Sequence, residues 1–187
     1  MASSSDEIEP VLGGSIGVDR IDEDAERRLF DRWAVELRPD LFRYAFWLAR
    51  DRALAEDIVQ EALLRAWRAF GGLRDKQSVK QWLMTITRRE YARTYQRKRL
   101  ETTDLDALSA REEGLIAAHD DLDVREMRSA IFDLEAEYRE PLVLQVLMGY
   151  KTEEIAGIMG ISAGAVLTRL FRARRKLKSQ LGWGVEE

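Results

Sequence analysis

The chain contains no cysteine, which excludes disulfide bonds and thiolate metal sites. Its single histidine, His119, lies in an acidic stretch, and neither a Glu-x-x-His nor a His-Glu-x-x-His pattern occurs. A zinc centre or a histidine acid–base centre would therefore lack its usual ligands. We expect no catalytic residue, no metal site and no cofactor, and we expect that the protein is not an enzyme. The lack of cysteine also favours a reducing, cytoplasmic location.

Proline is scarce, with three residues in 187, and long alternating runs of Val, Ile and Thr are missing. Both features argue against an all-β fold. No run of about 18 apolar residues is present to span a membrane. The N-terminus also lacks the basic and apolar regions of a signal peptide. We therefore expect an all-α protein without membrane insertion.

The net charge of −4 conceals a strongly uneven distribution of charge. Residues 65–100 hold eleven bases and two acids, residues 101–140 hold four bases and thirteen acids, and residues 150–180 hold seven bases and two acids. Two basic blocks separated by an acidic one are typical of two modules that face a polyanion. Unevenly charged, solvated helix faces are the alternative interpretation.

Helical periodicity divides the chain into two parts. Residues 1–21 are rich in Ser, Gly and acids, which predicts a disordered leader. Periodic apolar positions in residues 22–100 and 122–182 predict two small helical domains. Residues 101–121 are acidic and weakly periodic, which predicts a flexible acidic linker, and residues 183–187 form a short tail.

Local signals place several helix ends. Pro39 is predicted to open a second helix at its first-turn position, and Gly71-Gly72 to end the helix that follows. Ser78 is a plausible N-cap for the next helix, whose apolar stripe includes Trp82. We therefore expect Trp82 in the core.

The segment TEEIAGIMGISAGAVLTRLFRARRKLK has the features of a helix-turn-helix. Thr152 is predicted to cap a short helix, Gly160 to form the turn, and Ser162 to cap a second helix. Val166 and Leu170 then point into the core. The remaining faces of the second helix suit a helix that enters the major groove; they carry Thr168, Arg169, Arg172, Arg175 and Lys176. An ordinary basic amphipathic helix is the alternative.

Two further stretches have polar patterns that suit binding. In ALAEDIVQEALLRAW, one helix face carries Glu56, Asp57, Gln60 and Glu61, and this face is either solvated or docks a protein. Residues 71–99 interleave bases with aromatic rings. That pattern suits single-stranded nucleic acid, because cations follow phosphates while rings stack on bases.

Taken together, these stretches resemble the extracytoplasmic-function class of bacterial sigma factors over residues 25–181. AEDIVQEALLRAW resembles the polymerase-binding helix of region 2, SVKQWLMTIT resembles the promoter-melting segment, and the stretch from Tyr138 to Leu177 is similar to region 4. The resemblance implies a subunit that directs RNA polymerase core to promoters, in a stress or envelope response, under the control of an anti-sigma factor. It implies two helical domains with no third domain between them.

The resemblance also implies roles for individual residues. The residues implied to dock on the β′ clamp helices are Asp57, Gln60 and Glu61, and region 4 is implied to meet the β flap. The residues implied to contact the single-stranded −10 element, around the loop Leu73–Ser78, are Arg74, Lys76, Gln77, Ser78, Arg88 and Arg89. The residues implied to contact the double-stranded −35 element are Ser162, Thr168, Arg169, Phe171, Arg172, Arg175 and Lys176.

Four positions depart from the family pattern. Ala165 stands where a hydroxyl is usual and Leu167 where a cation is usual, while Arg89 and Arg93 replace an Asn and an Asp. These departures bear on the choice of promoter. Two alternative functions remain: a stand-alone helix-turn-helix regulator that binds duplex DNA as a dimer, and a helical enzyme with a carboxylate site. The first leaves the polar face at Asp57 unexplained, and the second lacks usable His or Cys ligands.

Overall fold

The computed structural model describes residues 16–72, 78–101 and 122–183, and all regular structure within these ranges is helical. The helices are α1 (Ile16–Ala49), α2 (Arg52–Ala69), α3 (Val79–Glu101), α4 (Leu122–Asp133), α5 (Ala136–Val146), α6 (Thr152–Met159) and α7 (Ala163–Gln180), with a 3-10 turn at Phe70–Gly72. The prediction of an all-α fold is confirmed. Residues 1–15 of the predicted leader, 102–121 of the linker and 184–187 of the tail lie outside the described residues.

Helix α1 runs through Pro39, so the prediction that Pro39 opens a second helix is wrong. A proline inside a helix removes one hydrogen bond, here the one that the carbonyl of Val35 would accept. Val35 is 77% exposed, so water can reach this part of the helix. Buried residues on both sides of the proline, Phe30 before it and Leu41 and Tyr44 after it, hold the two halves of α1 against the same core.

Helices α1, α2 and α3 form the N-terminal unit. Asp51 caps α2 by accepting a hydrogen bond from the amide of Leu54 at 3.0 Å. The inner face of α2 buries Ile58, Val59, Ala62 and Ala66. A buried acid joins α2 to α3, because Glu90 pairs with Arg65 at 2.9 Å and with Arg93 at 3.2 Å. The unit is thus held together by an apolar face and by ion pairs between its helices.

Two tryptophans, Trp67 of α2 and Trp82 of α3, lie at the edge of the core. Trp67 is 42% exposed and packs against Phe30, with ring centroids 5.2 Å apart. Trp82 is partly buried and packs against the core cluster, which is consistent with its expected place.

Helices α4 to α7 form the C-terminal unit. Its core combines the apolar run of α5 with residues of the other three helices. Its buried apolar residues include Ala130, Ile131, Leu134, Leu142, Val143, Leu144, Tyr150, Ile155, Ile158, Met159, Val166, Leu170 and Ala173. Gly149, with φ of 74°, follows α5 and lets the chain turn toward α6.

The two units pack against each other, and we call their contact region the unit junction. Trp47 of α1 stacks on Phe132 of α4 with centroids 4.3 Å apart. Gly157 of α6 lies beside Gln81 of α3, where an added Cβ would come within 2.7 Å of the Gln81 amide nitrogen. Helices α3 and α6 therefore meet through the end of the Gln81 side chain, which also donates to the carbonyl of Glu154.

Among the described helices, no single one is both long enough and apolar enough to cross a membrane. Helices α6 and α7 reach that length and composition only as a pair, and the two are bent by 102°.

Candidate functional site

Helices α6 and α7 form a helix-turn-helix. The turn contains Gly160 with φ of 67°, and its amide closes α6 by donating to the carbonyl of Ala156 at 2.8 Å. The Ser162 hydroxyl then caps α7 by accepting from the amide of Ala165 at 3.2 Å. These caps set the angle of 102° between α6 and α7. The predicted roles of Gly160 and Ser162 are confirmed.

The start of α6 differs from the prediction. The N-cap is Lys151 and Thr152 is the first helical residue, so the prediction that Thr152 is the cap is wrong. The Glu154 carboxylate accepts from the backbone amide of Lys151 at 2.7 Å. A side chain three residues along the helix thus satisfies the amide, which removes the need for a capping hydroxyl.

Helix α7 has one buried face and one outward face. Val166, Leu170 and Ala173 are buried against the C-terminal unit. The residues that lie exposed away from this buried face include Gly164, Leu167, Thr168, Phe171, Arg172 and Arg175. The Thr168 hydroxyl donates to the carbonyl of Gly164 at 2.9 Å, and its oxygen can still accept a hydrogen bond. This surface offers donors, acceptors and an aromatic ring on one rigid element.

Other cations of α7 lie at its flanks. The Lys176 ammonium donates to Glu135 at 2.5 Å and lies 5.2 Å from the centre of the Tyr138 ring. The hydrogen bond from Lys176 also lowers the pKa of Glu135. Arg169 is only half-exposed, on the side nearer the core. The structure therefore places Arg172 and Arg175 outward, but it places Lys176 against the start of α5.

The polar face of α2 lies opposite its buried stripe. Asp57 and Gln60 are exposed, and Glu61 pairs with Arg65 at 3.0 Å. Glu56, on the same face, pairs with Arg52 at 3.2 Å. The three residues implied to dock on polymerase thus share one accessible helix face.

Only some of the residues implied to contact the −10 element lie within the described ranges, and these do not all share one exposed surface. Arg74, Lys76 and Gln77 lie outside the described residues. Ser78 is exposed and directly precedes α3, and Arg89 is exposed on α3. Arg88, in contrast, turns toward the unit junction and contacts α5.

The Arg88 guanidinium is held by Glu140 of α5. Its Nε donates to Glu140 Oε1 at 2.7 Å, and Tyr44 donates its hydroxyl to the same oxygen at 2.7 Å. Burial, and then the Glu140 carboxylate, raise the pKa of Tyr44 well above its usual value, so its hydroxyl remains a donor. Burial acts against the charged form of Arg88, but Glu140 raises the pKa of Arg88 overall.

A second buried charge crosses the junction beside this cluster. Arg139 donates to the carbonyls of Phe132 and Leu134 at 3.0 Å each and to the carbonyl of Leu48 at 3.3 Å. It therefore satisfies carbonyls at the ends of both α1 and α4. Gln81 adds a bond to the carbonyl of Glu154 at 3.3 Å.

Sequence reasoning did not single out Tyr44, Arg139 or Glu140. The signal that could have found two of them is the Arg139-Glu140 pair directly before the apolar run PLVLQVLM. Charged residues beside a core segment are rarely buried without a partner. Within residues 16–72, 78–101 and 122–183, no group of three or more His, Cys, Asp or Glu residues could hold a metal ion.

Comparison with known proteins gives matches to two family models. Residues 34–101 match Sigma-70 region 2, and residues 125–177 match Sigma-70 region 4. The first range covers most of the N-terminal unit, and the second covers nearly all of the C-terminal unit.

Two curated proteins and one solved structure are similar to this chain. The ECF RNA polymerase sigma factor EcfG of Rhodopseudomonas palustris is 33% identical over 146 residues, which are 76% of this chain and 80% of EcfG. The probable RNA polymerase sigma factor RfaY of Xanthomonas campestris is 35% identical over 145 residues, which are 73% of this chain but 36% of RfaY. The sigma factor RpoE, solved in complex with the anti-sigma factor NepR from Bartonella quintana, superposes with a TM-score of 0.72 at 28% identity, covering 84% of this chain and 98% of RpoE.

Proposed function

This chain belongs to the extracytoplasmic-function sigma factors of the sigma-70 family, and we propose that it recognises promoters through the exposed faces of α7 and α3. The observation that carries the proposal is the outward face of α7, where Thr168, Arg172 and Arg175 lie exposed on the second helix of a helix-turn-helix. Such a face supplies donors to base edges and phosphates when the helix lies in the major groove. This helix then reads the −35 element.

The exposed face of α2 is the proposed docking surface for polymerase core. Asp57 and Gln60 are exposed, while Ile58 and Val59 on the opposite side bury in the core. Polymerase can therefore cover the polar face without disturbing the fold. The β′ clamp helices are the proposed partner of this face, and the β flap is the proposed partner of the C-terminal unit.

The −10 strand is proposed to bind along the start of α3 and the preceding loop. Ser78 is exposed directly before α3, and Arg89 is exposed near the middle of the helix. Arg88 is engaged by Glu140 in this structure, so it reaches DNA only if the unit junction loosens. We infer that Arg88 exchanges the Glu140 carboxylate for a phosphate or base when the protein joins polymerase.

Control by an anti-sigma factor is a further part of the proposal. Its support is the likeness to RpoE, which was solved with the anti-sigma factor NepR. The protein is proposed to act in the cytoplasm, where polymerase core transcribes, and to contribute binding and promoter melting without a catalytic step of its own.

The polymerase surface is tested by a double substitution, Asp57→Ala with Gln60→Ala. Exposed substitutions of this kind change stability by no more than about 0.5 kcal/mol, so a loss of affinity for core reports a lost contact. The matched control is Asp31→Ala with Glu36→Ala, two exposed positions on α1. We expect the first pair to weaken binding to core by at least about tenfold and the control to leave it unchanged. Equal affinity for both would remove the α2 face from the interface.

Promoter binding with and without polymerase core distinguishes a sigma factor from a stand-alone regulator. The sigma factor is expected to bind its promoter specifically only together with core. Specific binding of a dimer to duplex DNA without core would instead favour the regulator.

A further inference from the structure

The outward face of α7 carries two large apolar side chains that the charge pattern does not explain. Leu167 is 56% exposed and Phe171 is 64% exposed. They are four residues apart, so they are neighbours on one row of the helix surface. Arg175 continues the same row, and Thr168 and Arg172 form the adjacent row. An apolar strip is thus framed by groups that suit DNA.

We propose that Leu167 and Phe171 read the 5-methyl groups of thymines in the −35 element, which rests on the proposed function of α7. Thymine presents the only apolar group on the floor of the major groove, and apolar side chains contact it directly. Leu167 therefore becomes a specificity-determining residue, although it has no polar atom in its side chain. Adenine–thymine pairs opposite this strip are selected by their methyl groups.

The cations beside Leu167 and Phe171 indicate that DNA is the partner that covers this apolar strip. Arg172 and Arg175 are exposed beside it, and Lys178 is exposed one turn further along. No acidic residue lies in the sequence from Gly160 to Lys178, so the outward face of α7 itself carries charges of one sign, which are complementary to phosphates. A protein partner that covered the apolar pair would need to neutralise these cations as well.

The position of the two residues fits the entry of a recognition helix. Leu167 is the fifth residue of α7, which begins at Ala163, and residues near the N-terminus of a recognition helix reach base edges. Phe171 lies one turn later. The cations follow them toward the C-terminal end, where contacts to phosphates anchor the helix without reading sequence.

The test removes single methyl groups from the DNA. Holoenzyme binding is first measured on a panel of −35 duplexes to find the preferred sequence. Each thymine of that sequence is then replaced by deoxyuridine, which lacks only the 5-methyl. Burial of one methyl corresponds to about a fourfold change in Kd. We expect a loss of this size at one or two thymines.

Substitutions identify which residue reads each methyl. Leu167→Ala is expected to abolish the effect of deoxyuridine at one position, and Phe171→Ala at a neighbouring position. Leu167→Lys should bind all duplexes more tightly at low salt and ignore the methyl. The control is Val146→Ala, an apolar residue of α5 that is 62% exposed outside α7; it should retain the full deoxyuridine effect.

The outcomes separate this inference from the proposed function. If holoenzyme prefers particular −35 sequences but is indifferent to every deoxyuridine, the thymine reading is wrong and the function stands. If Leu167→Ala weakens binding to core without DNA, the strip contacts polymerase and the inference is overturned. If holoenzyme shows no −35 preference at all, the proposed function of α7 fails.

Discussion

Glu140→Gln is the substitution that most sharply probes the unit junction. The Glu140 carboxylate accepts from Tyr44 and from Arg88, both at 2.7 Å, and its side chain is 10% exposed. Gln is nearly isosteric and still offers one carbonyl oxygen to these donors. It removes the negative charge, so the ion pair with Arg88 is lost while the packing is kept.

The magnitude follows from the kind of bond that is lost. Hydrogen bonds to charged groups contribute about 1.5–3 kcal/mol, compared with about 1 kcal/mol for neutral pairs. The Arg88 side chain is 30% exposed, so solvent screens part of this difference. We expect a net loss of about 1–2 kcal/mol from the contact between the units, which shifts the ratio of separated to packed units by about 5–30-fold.

The assay uses the absence of cysteine in the natural chain. Ala53 of α2 and Ser179 of α7 are both exposed, and each is replaced by cysteine. A pair of fluorophores is attached to the two cysteines. Energy transfer between the fluorophores then reports the separation of the two units. Binding of a single-stranded −10 oligonucleotide to holoenzyme is the second measurement. Glu140→Gln should lower the energy transfer and, because Arg88 is released, strengthen oligonucleotide binding.

The matched control is Glu137→Gln, which makes the same chemical change at an exposed position of α5. It should leave both signals unchanged. The reasoning is refuted if Glu140→Gln and Glu137→Gln give the same energy transfer and the same oligonucleotide affinity. Circular dichroism checks that each variant is folded, and Tyr44→Phe, which removes the other donor, provides an independent variant.

Three further predictions concern stability and are measured by urea unfolding. Gly160→Ala should destabilise the C-terminal unit by about 1–2 kcal/mol, because φ is 67° at this position. An added Cβ would meet no neighbouring side chain or element within 4 Å, so backbone strain alone acts. Gly164→Ala, inside α7 and equally open, should instead stabilise the unit by about 0.5–1 kcal/mol. Arg139→Met should lower the free energy of unfolding by about 2–4 kcal/mol, because three carbonyls at the helix ends lose their donor. A neutral Gly160→Ala or Arg139→Met would contradict the corresponding argument.

The helix-turn-helix was predictable because its signals are local. A residue that tolerates positive φ, a capping hydroxyl and a period of apolar residues all lie within a short stretch around Gly160 and Ser162. The same local reasoning failed at Pro39, where packing of Phe30 and Tyr44 on either side of the proline outweighs one lost hydrogen bond.

The unit junction was not predictable, because its partners are far apart in the sequence. Tyr44 and Glu140 are separated by 96 positions, and Arg88 and Glu140 by 52. Helical periodicity shows that Arg88 lies on a basic helix. It does not show that Arg88 pairs with a carboxylate of the C-terminal unit. Helical spacing alone separates Leu167 from the buried Val166 and Leu170, but only the packed structure shows that 56% of Leu167 is exposed.

Transcription in vitro with purified core RNA polymerase tests the central claim most directly. Genomic DNA is transcribed with core alone and with core plus this chain, and the 5′ ends of the transcripts are sequenced. The account predicts start sites that require the chain and that share one −35 and one −10 sequence at a fixed spacing. The absence of any chain-dependent start site, with a core that responds to another sigma factor, would contradict it.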